Sequence, residues 1–203
     1  MTARSRGTRS ILPPSPSRAS AADSGRGSKS KPSMTRDIRA EETPARIEST
    51  GFWLFKSEPG TYSIEDLARE GRTLWDGIRN YQARNFIRDT MRPGDRVLFY
   101  HSNADPPAIV GVARIIGSPV PDMTAFDRSN HGYDPKSRSE NPTWFAIEIE
   151  FQSRLGDPVT LESMRSDPRF RGMLLLAKGQ RLSIQPVIES HFRSALEVAR
   201  HRD

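Results

Sequence analysis

Residues 75–85 read WDGIRNYQARN and form the densest run of polar recognition groups in the chain. The pattern predicts a strand that ends at Trp75, a turn that Gly77 makes possible, and a helix that begins at Asn80. Asn is a favourable N-cap, because its side-chain oxygen accepts a hydrogen bond from a free amide of the first turn. This stretch therefore predicts a strand–turn–helix junction with many polar side chains.

The helix after Asn80 is predicted to have two different faces. At 100° per residue, the packed face contains Ala83, Phe86, Ile87, Thr90 and Met91. The opposite face contains Tyr81, Arg84, Asn85 and Arg88. Residues 79–82 lie at the helix entrance, where free N–H groups and the helix dipole favour an anion. A solvated face would be richer in Lys and Glu, whereas Arg, Asn, Gln and aromatic residues suit forked hydrogen bonds and stacking. The composition favours a recognition surface.

The flanking patterns predict a mixed domain of strands and helices. Predicted strands are 52–56, 73–75, 96–101, 108–116, 143–151 and 181–185. Within 108–116, Gly111 indicates a bulge or a close approach of the backbone. Predicted helices are 64–70, which Ser63 caps, the helix from residue 80, 160–164 and 187–200, the last with Ile188 among its inward residues. Residues 117–142 read as a long polar loop, a type that is often functional. The irregular connections fit neither a Rossmann nor a TIM pattern, so we predict a mixed α/β or α+β domain around one curved sheet or small barrel.

The first 50 residues are rich in Ser, Arg and Pro, with almost no large apolar residue. Such a segment cannot bury enough surface to offset its ordering entropy, so we predict a disordered tail over 1–50 and one domain over 51–203. Three interpretations of the tail remain: a basic arm for nucleic acid, a targeting sequence, or an extension upstream of a true start at Met34. The absence of amphipathicity and motifs favours the last.

The net charge of +6 is unevenly distributed. Residues 1–50 carry 10 of the 31 Lys and Arg residues and 5 of the 25 Asp and Glu residues, so residues 51–203 are nearly neutral. The basic character therefore describes mainly the tail, and it gives little support for a domain that coats a polyanion.

Composition also excludes several classes of protein. The absence of Cys excludes a disulfide framework, a thiolate metal site and a Cys nucleophile. No apolar run approaches the ~18 residues that a membrane span needs, and no signal-peptide core precedes a cleavage site. We predict a soluble monomer with no membrane partner, located in the cytoplasm or, in a eukaryote, the nucleus.

Catalytic motifs are absent from the sequence. Neither a Gly-rich phosphate loop nor a nucleophile elbow occurs, and the four His residues lack the spacing of two ligands on one helix face. We therefore predict no cofactor and no metal. His101-Ser102 and Ser57-Glu58 could supply a base and a nucleophile, but neighbouring residues on a strand point to opposite faces. A buried, hydrogen-bonded His101 at a strand end is the simpler interpretation.

Polar turns follow three of the apolar strands, at residues 56–59, 75–85 and 101–103. If these strand ends meet, they form a concave pocket with polar groups at its rim, which suits a flat heteroaromatic ring. Its aromatic walls would be Trp53, Trp75, Tyr81 and Trp144. Trp53 and Trp144 lie in strand patterns that are typical of a core, whereas Trp75 and Tyr81 lie beside turn signals.

Several motifs, in this order and spacing, resemble the EVE domain family. They are FWLFKSEP (52–59), WDGIRNYQARN (75–85) and FYHSN (99–103), extended by IVG (109–111), YDPK (133–136), WF (144–145) and RLSIQP (181–186). The match covers roughly residues 51–200 and leaves the tail outside. Because several motifs agree together, the resemblance is specific.

The resemblance implies a PUA-like pseudo-barrel of about five to six strands with surrounding helices. It also implies binding to nucleic acid that contains a modified base, flipped into a pocket. The candidate base or ligand contacts are Lys56, Ser57, Trp75, Arg79, Asn80, Tyr81, Gln82, Asn85, His101, Ser102, Asn103 and Trp144. The candidate phosphate contacts are Arg79, Arg84 and Arg88, together with Lys56.

We predict a noncatalytic reader in which Trp75 or Tyr81 stacks on an extruded base, and Asn80, Ser102 or Asn103 hydrogen-bonds its polar edge. Both DNA and RNA remain open as the nucleic acid. One alternative is an enzyme that acts on a modified nucleobase or small heterocycle, with His101 as acid/base and Glu58 or Asp76 orienting it. Another is a small-metabolite sensor, whose affinity would hardly change with salt.

Overall fold

The computed structural model describes residues 51–200, so the predictions for the tail concern residues outside this range. The strands are β1 Phe52–Ser57, β2 Arg72–Trp75, β3 Arg96–His101, β4 Ala108–Ile115, β5 Val120–Pro121, β6 Phe145–Thr160 and β7 Ile184–Pro186. The α-helices are α1 Ile64–Glu70, α2 Tyr81–Asn85, α3 Leu161–Ser166 and α4 Glu189–Val198. A π-helical turn, Phe86–Thr90, continues α2, and 3-10 turns occupy Met123–Ala125, Pro168–Phe170 and Leu174–Leu176.

Six strands form one sheet in the order β2-β6-β4-β3-β1-β7, and β5 pairs with β6. β1 and β3 run parallel, with Ser57 opposite His101, whereas the other pairs are antiparallel. Because the two strands are parallel, the polar turns that follow them lie at the same end of the sheet. The amide of Ser102 donates a hydrogen bond of 2.8 Å to the carbonyl of Ser57, which joins the two turns directly.

The sheet curls, so that its first strand reaches back towards the strands near its other end. The ring of Trp75, on β2, lies 5.3 Å from that of Phe55 on β1 and 5.6 Å from that of Phe99 on β3. These aromatic contacts join strands that are not hydrogen-bonded neighbours. The predicted mixed α/β class and the pseudo-barrel of about six strands are confirmed.

Alternate residues of β1 and β3 enter two separate cores, as the period of a strand requires. Phe55 and Phe99 pack inside the curl with the buried side of α2. Leu54 and Leu98 pack on the outer face, in a cluster that includes Phe192 of α4. All five of these side chains are fully buried. The sheet is therefore covered on both faces, and the ends of its strands are the surfaces that remain for binding.

Two predicted helix caps are present. The Ser63 side chain accepts a hydrogen bond from the Asp66 amide, and the Asp66 carboxylate accepts one from the Ser63 amide, which forms a capping box at α1. The Asn80 Oδ1 accepts a hydrogen bond of 3.0 Å from the Ala83 amide. The predicted packed face of this second helix is also correct, since Ala83 and Ile87 are fully buried.

Gly111 marks the predicted close approach of the backbone. A Cβ at this position would lie 2.6 Å from Cδ1 of Ile64 and 2.9 Å from the carbonyl oxygen of Ser153. The pairing of β4 with both neighbours also shifts register near this residue. Glycine here lets α1 pack directly onto the sheet.

The predictions for β6 and for the start of α4 are wrong. The strand predicted over 143–151 begins at Phe145 and continues to Thr160. The prediction stopped too early because the second half of the strand carries exposed polar residues such as Arg154, although β4 still pairs with it. Ile188 is 53% exposed and precedes α4 instead of packing inward. Trp53 is fully buried and donates a hydrogen bond of 2.8 Å from Nε1 to Asp95, so it belongs to the core, as its strand pattern predicts, and forms no pocket wall.

Across residues 51–200, no helix has the length and the apolar character to cross a lipid bilayer.

Candidate nucleic-acid interface

A cavity of about 430 Å³ lies where the curled sheet leaves a gap between β1 and β2. We call it the seam cavity. It is lined by Lys56, Ser57, Thr61, Tyr62, Thr73, Leu74, Trp75, Asp76 and Ile78. This volume falls in the range of small-molecule pockets in proteins. The seam cavity therefore has room for a single planar base.

Trp75 is the largest side chain that lines the seam cavity. It is half-buried and is held by tilted or edge contacts with Phe55, Phe99 and Tyr62. These neighbours fix the orientation of the indole, while its remaining surface contributes to the cavity lining. A fixed aromatic face is the feature that a stacked base requires.

Hydroxyl groups and a cation line the side of the cavity formed by β1 and the turn after it. The Ser57 hydroxyl donates a hydrogen bond of 2.6 Å to the carbonyl of Tyr62, and the Tyr62 hydroxyl donates one of 2.7 Å to Glu70. Burial, followed by the hydrogen bond to Glu70, raises the pKa of Tyr62 to about 12, so this hydroxyl stays protonated. Burial also lowers the pKa of Lys56, whose Nζ donates to the carbonyl of Gln180 at 3.2 Å.

Asp76 adds a carboxyl group to the cavity. Burial, and next the negative charge of Asp122, raise the pKa of Asp76, while the charge of Arg79 opposes them. Within residues 51–200, no other residue donates a hydrogen bond to its carboxyl group. A carboxyl group in this position can accept hydrogen bonds from the amino group of a bound base.

Arg79 holds the turn after Asp76 to the long loop of residues 117–142. Its guanidinium donates to the Asp122 carboxylate at 2.6 Å, to the Gly132 carbonyl at 2.6 Å and to the Thr124 hydroxyl at 2.8 Å. The Asp122 side chain is fully buried and also accepts the amide of Gly77 at 2.9 Å. Arg79 is thus occupied by protein acceptors, and these contacts do not support the base and phosphate roles predicted for it.

Tyr81 and Trp144 form an aromatic pair that does not line the seam cavity. Their ring centroids are 4.9 Å apart, with the Arg84 guanidinium 5.1 Å from the Tyr81 ring. Trp144 is buried and donates a hydrogen bond of 2.7 Å from Nε1 to Asp134. Tyr81 is 61% exposed. Of the two aromatic residues predicted to stack on a base, only Trp75 lies in the cavity.

The other candidates on α2 lie on an exposed surface or are used within the protein. Asn80 caps its helix, and neither Gln82 nor Asn85 is part of the cavity lining. Arg84 donates to the Thr143 carbonyl at 2.8 Å. Arg88 is paired with its neighbour Asp89 at 2.7 Å. These contacts do not support the phosphate roles predicted for the two arginines.

The turn after β3 meets the turn after β1, but it lies beside a different cavity. Ser102 and Asn103 line a second cleft, of about 460 Å³, which shares only Lys56 with the seam cavity. Asn103 has a positive φ of 51°, a conformation that Asn tolerates better than most residues. The strand ends therefore converge as predicted for Lys56, Ser57 and Trp75, whereas Ser102 and Asn103 face the second cleft.

His101 is used structurally. Its Nε2 accepts a hydrogen bond of 3.1 Å from the Ile64 amide, at the first turn of α1. Burial lowers the pKa of His101 and favours the neutral form that this bond requires. Neither Glu58 nor Asp76 contacts its ring. The residue that the enzyme alternative would use as acid/base thus has its Nε2 engaged with a backbone amide.

Replacing His101 with alanine is expected to destabilise the fold by about 1–2 kcal/mol, because the Ile64 amide loses its acceptor. His101→Gln, which retains an acceptor, should recover part of this loss. Since the folded-state pKa lies below the ordinary value of 6.5, the wild-type contribution is present at neutral pH and declines as the pH falls through the folded pKa. Urea unfolding at pH 7.5 and pH 5 measures both effects. The same pH dependence in wild type and His101→Ala would contradict the assignment.

Sequence reasoning missed most of the seam cavity. Thr61, Tyr62, Thr73 and Leu74 line it and lie outside the motifs of the sequence. Asp76 lies within the stretch 75–85, but the Arg, Asn, Gln and aromatic residues of that stretch were predicted as the base contacts instead. Only the curl of the sheet, which places β2 beside β1, brings these residues together.

The fold defines a PUA-like domain, and the sequence comparison assigns its family. A family model of the EVE domain matches residues 51–198, so the chain belongs to the EVE domain family. Thymocyte nuclear protein 1 from human is 37% identical over 165 residues, covering 72% of this chain and 72% of the relative. The mouse protein is 33% identical over 197 residues, covering 83% and 86%.

Solved structures show the same fold. A protein from Pseudomonas syringae superposes with a TM-score of 0.70 at 40% identity, covering 73% of this chain and 99% of the other. Human THYN1, solved in complex with DNA that contains 5-methylcytosine, superposes with a TM-score of 0.69 at 36% identity, covering 75% of this chain and 99% of the other.

Proposed function

We propose that this protein is a noncatalytic reader that binds DNA containing a modified base and holds that base, flipped out of the helix, in the seam cavity. The observation that carries the proposal is one cavity in which an indole face, hydroxyl groups, a lysine and a carboxyl group converge. The DNA complex of the similar human protein supports 5-methylcytosine as the first base to test.

Trp75 supplies the stacking surface in this proposal. A base stacked on an aromatic side chain contributes roughly 1–3 kcal/mol, or about ten- to a hundredfold in affinity. Leu74, which is 42% exposed, and Ile78 provide apolar lining for a methyl group on the base. Apolar contact is the usual way in which proteins recognise the 5-methyl group of a pyrimidine. The cavity can therefore combine stacking with selection for methylation.

Fluorescence anisotropy with labelled oligonucleotides tests the proposal. Strands that differ only in one 5-methylcytosine or cytosine are compared, with free 5-methyldeoxycytidine as a competitor. We expect tighter binding to the methylated strand and an affinity that falls as salt increases. Equal affinity for the two strands would contradict the reader function. Equal affinity for the nucleoside and the strand, without salt dependence, would favour the metabolite sensor.

Asp76 is expected to select cytosine over thymine. A carboxylate oxygen accepts a hydrogen bond from the N4 amino group of 5-methylcytosine, whereas thymine, with the same methyl group, presents an oxygen there. Asp76→Asn should weaken binding to the 5-methylcytosine strand about tenfold and improve binding to a matched thymine strand, because the new amide can donate to O4. The ratio of the two dissociation constants measures the change. An unchanged ratio in Asp76→Asn would exclude Asp76 as the selecting group.

The monomeric state and the cytoplasmic or nuclear location remain predictions. Size-exclusion chromatography with light scattering measures the first. Imaging of the tagged protein measures the second.

A further inference from the structure

The second cleft is basic. Its lining includes four cationic side chains, those of Lys56, Arg165, Lys178 and Arg181. We call this cleft the basic cleft. No Asp or Glu is among the residues that line it. A nearly neutral domain thus concentrates positive charge in one concave surface, where low-dielectric walls strengthen the field.

The cations of the basic cleft are available to a ligand. Within the described range 51–200, Arg165, Lys178 and Arg181 make no ion pair and no side-chain hydrogen bond, and all three are exposed. Each comes from a different position around the cleft: Arg165 from α3, Lys178 from the turn after Leu174–Leu176, and Arg181 from the segment that precedes β7. Long-range folding has brought these charges together without internal partners.

The basic cleft adjoins the seam cavity through Lys56. This residue lines both, and its ammonium group is fixed by the carbonyl of Gln180, which lies between Lys178 and Arg181. A strand whose base enters the seam cavity therefore has a cationic surface beside it. The arginines on the other side, Arg79, Arg84 and Arg88, are already engaged with protein groups.

We propose that the basic cleft binds the phosphate backbone of the nucleic acid next to the base in the seam cavity. The proposal rests on the reader function. In it, Arg165, Lys178 and Arg181 contact phosphates, while Ser102 and Asn103 can donate further hydrogen bonds to the same backbone. Contacts of this kind supply affinity and position the strand, but they carry no information about the base.

The test compares two triple variants of the full chain that remove the same charge. Arg165→Gln/Lys178→Gln/Arg181→Gln alters the basic cleft, and Arg128→Gln/Lys136→Gln/Arg138→Gln alters exposed cations of the loop 117–142. Anisotropy titrations use one duplex with 5-methylcytosine and one with cytosine, between about 50 and 200 mM NaCl, where phosphate contacts dominate the salt dependence.

The cleft variant is expected to bind both duplexes at least about tenfold more weakly at low salt. Its slope of log K against log salt, which is negative, should become shallower by roughly 0.9 for each phosphate that the variant no longer binds. The ratio of the two affinities should stay at the wild-type value, because the seam cavity is unchanged. The loop variant should resemble the wild type in both slope and affinity.

Other outcomes separate this proposal from the reader function. An equal loss of affinity in both triple variants, or an unchanged salt slope in the cleft variant, would overturn the proposal that the basic cleft binds phosphates. A preference for the methylated duplex would still support the reader function in that case. A wild-type protein that binds the two duplexes equally would instead refute the reader function.

Discussion

Replacing Trp75 with leucine is expected to weaken binding to a 5-methylcytosine strand by about ten- to a hundredfold, because the flipped base loses its aromatic stacking surface. Leucine retains apolar contact with Phe55 and Phe99, whose rings now lie 5.3 and 5.6 Å from the indole. The substitution therefore removes the flat face and keeps much of the packing. Anisotropy titration with methylated and unmethylated strands measures the loss.

Two variants serve as controls for this experiment. Trp75→Phe preserves an aromatic face and should stay within a few-fold of the wild type. Tyr81→Leu removes an exposed ring that does not line the seam cavity, and it should leave the preference for methylation unchanged. Thermal unfolding of each variant confirms that the protein is folded at the assay temperature. A greater effect from Tyr81→Leu than from Trp75→Leu would move the stacking site to α2.

Replacing Asp122 with alanine is expected to destabilise the fold by about 3 kcal/mol, because it leaves the Arg79 guanidinium partly buried without its counter-ion. The change also removes the acceptor for the Gly77 amide and for the Thr124 amide and hydroxyl. For a domain of this size the expected fall in Tm is roughly 6–12 °C. Because Asp76 and Ile78 lie in the same turn, the affinity for the modified base should fall as well.

The effect of pH provides an independent check on Asp122. Burial alone would raise the pKa of Asp122, but hydrogen bonds from Thr124 and Arg79 hold it below its ordinary value of 3.8. A carboxylate with a lowered folded pKa stabilises the fold above the unfolded pKa, and this contribution declines as the pH falls through the folded pKa. The stability difference between wild type and Asp122→Ala should therefore be constant near neutral pH and shrink below about pH 4.

Asp127→Ala is the matched control, since this aspartate lies in the same loop but hydrogen-bonds only to nearby Ser129. It should leave the Tm unchanged. Equal destabilisation by the two substitutions would show that the contact between Asp122 and Arg79 has no special role.

Features encoded by neighbouring residues could be predicted from the sequence. The caps at Ser63 and Asn80 depend on side chains three residues from their partners, and both are present. The close approach at Gly111 could also be expected, because a lone glycine within a strand usually marks a bulge or a site where another part of the chain comes near. The resemblance to the EVE domain supplied the pseudo-barrel, whereas local patterns alone left either one curved sheet or a small barrel.

Features that depend on distant contacts could not be predicted in this way. Arg79 has the appearance of a phosphate ligand until Asp122, 43 positions away, is found beside it. The second half of β6 is exposed and polar, and only its pairing with β4 makes it a strand. Arg165 and Lys178 reach the basic cleft from segments that carry no nucleic-acid motif. In each case a short sequence pattern contains no trace of the partner.

The position of the base is measured most directly by fluorine NMR of the protein labelled with 5-fluorotryptophan. The chain has three tryptophans, and two of them, Trp53 and Trp144, are buried away from the seam cavity. The Trp75 resonance is assigned as the one that is missing in Trp75→Phe. We predict that the 5-methylcytosine strand shifts this resonance and that the shift saturates at the concentration found by anisotropy. A bound complex in which the Trp75 resonance stays in place while that of Trp144 moves would contradict the account.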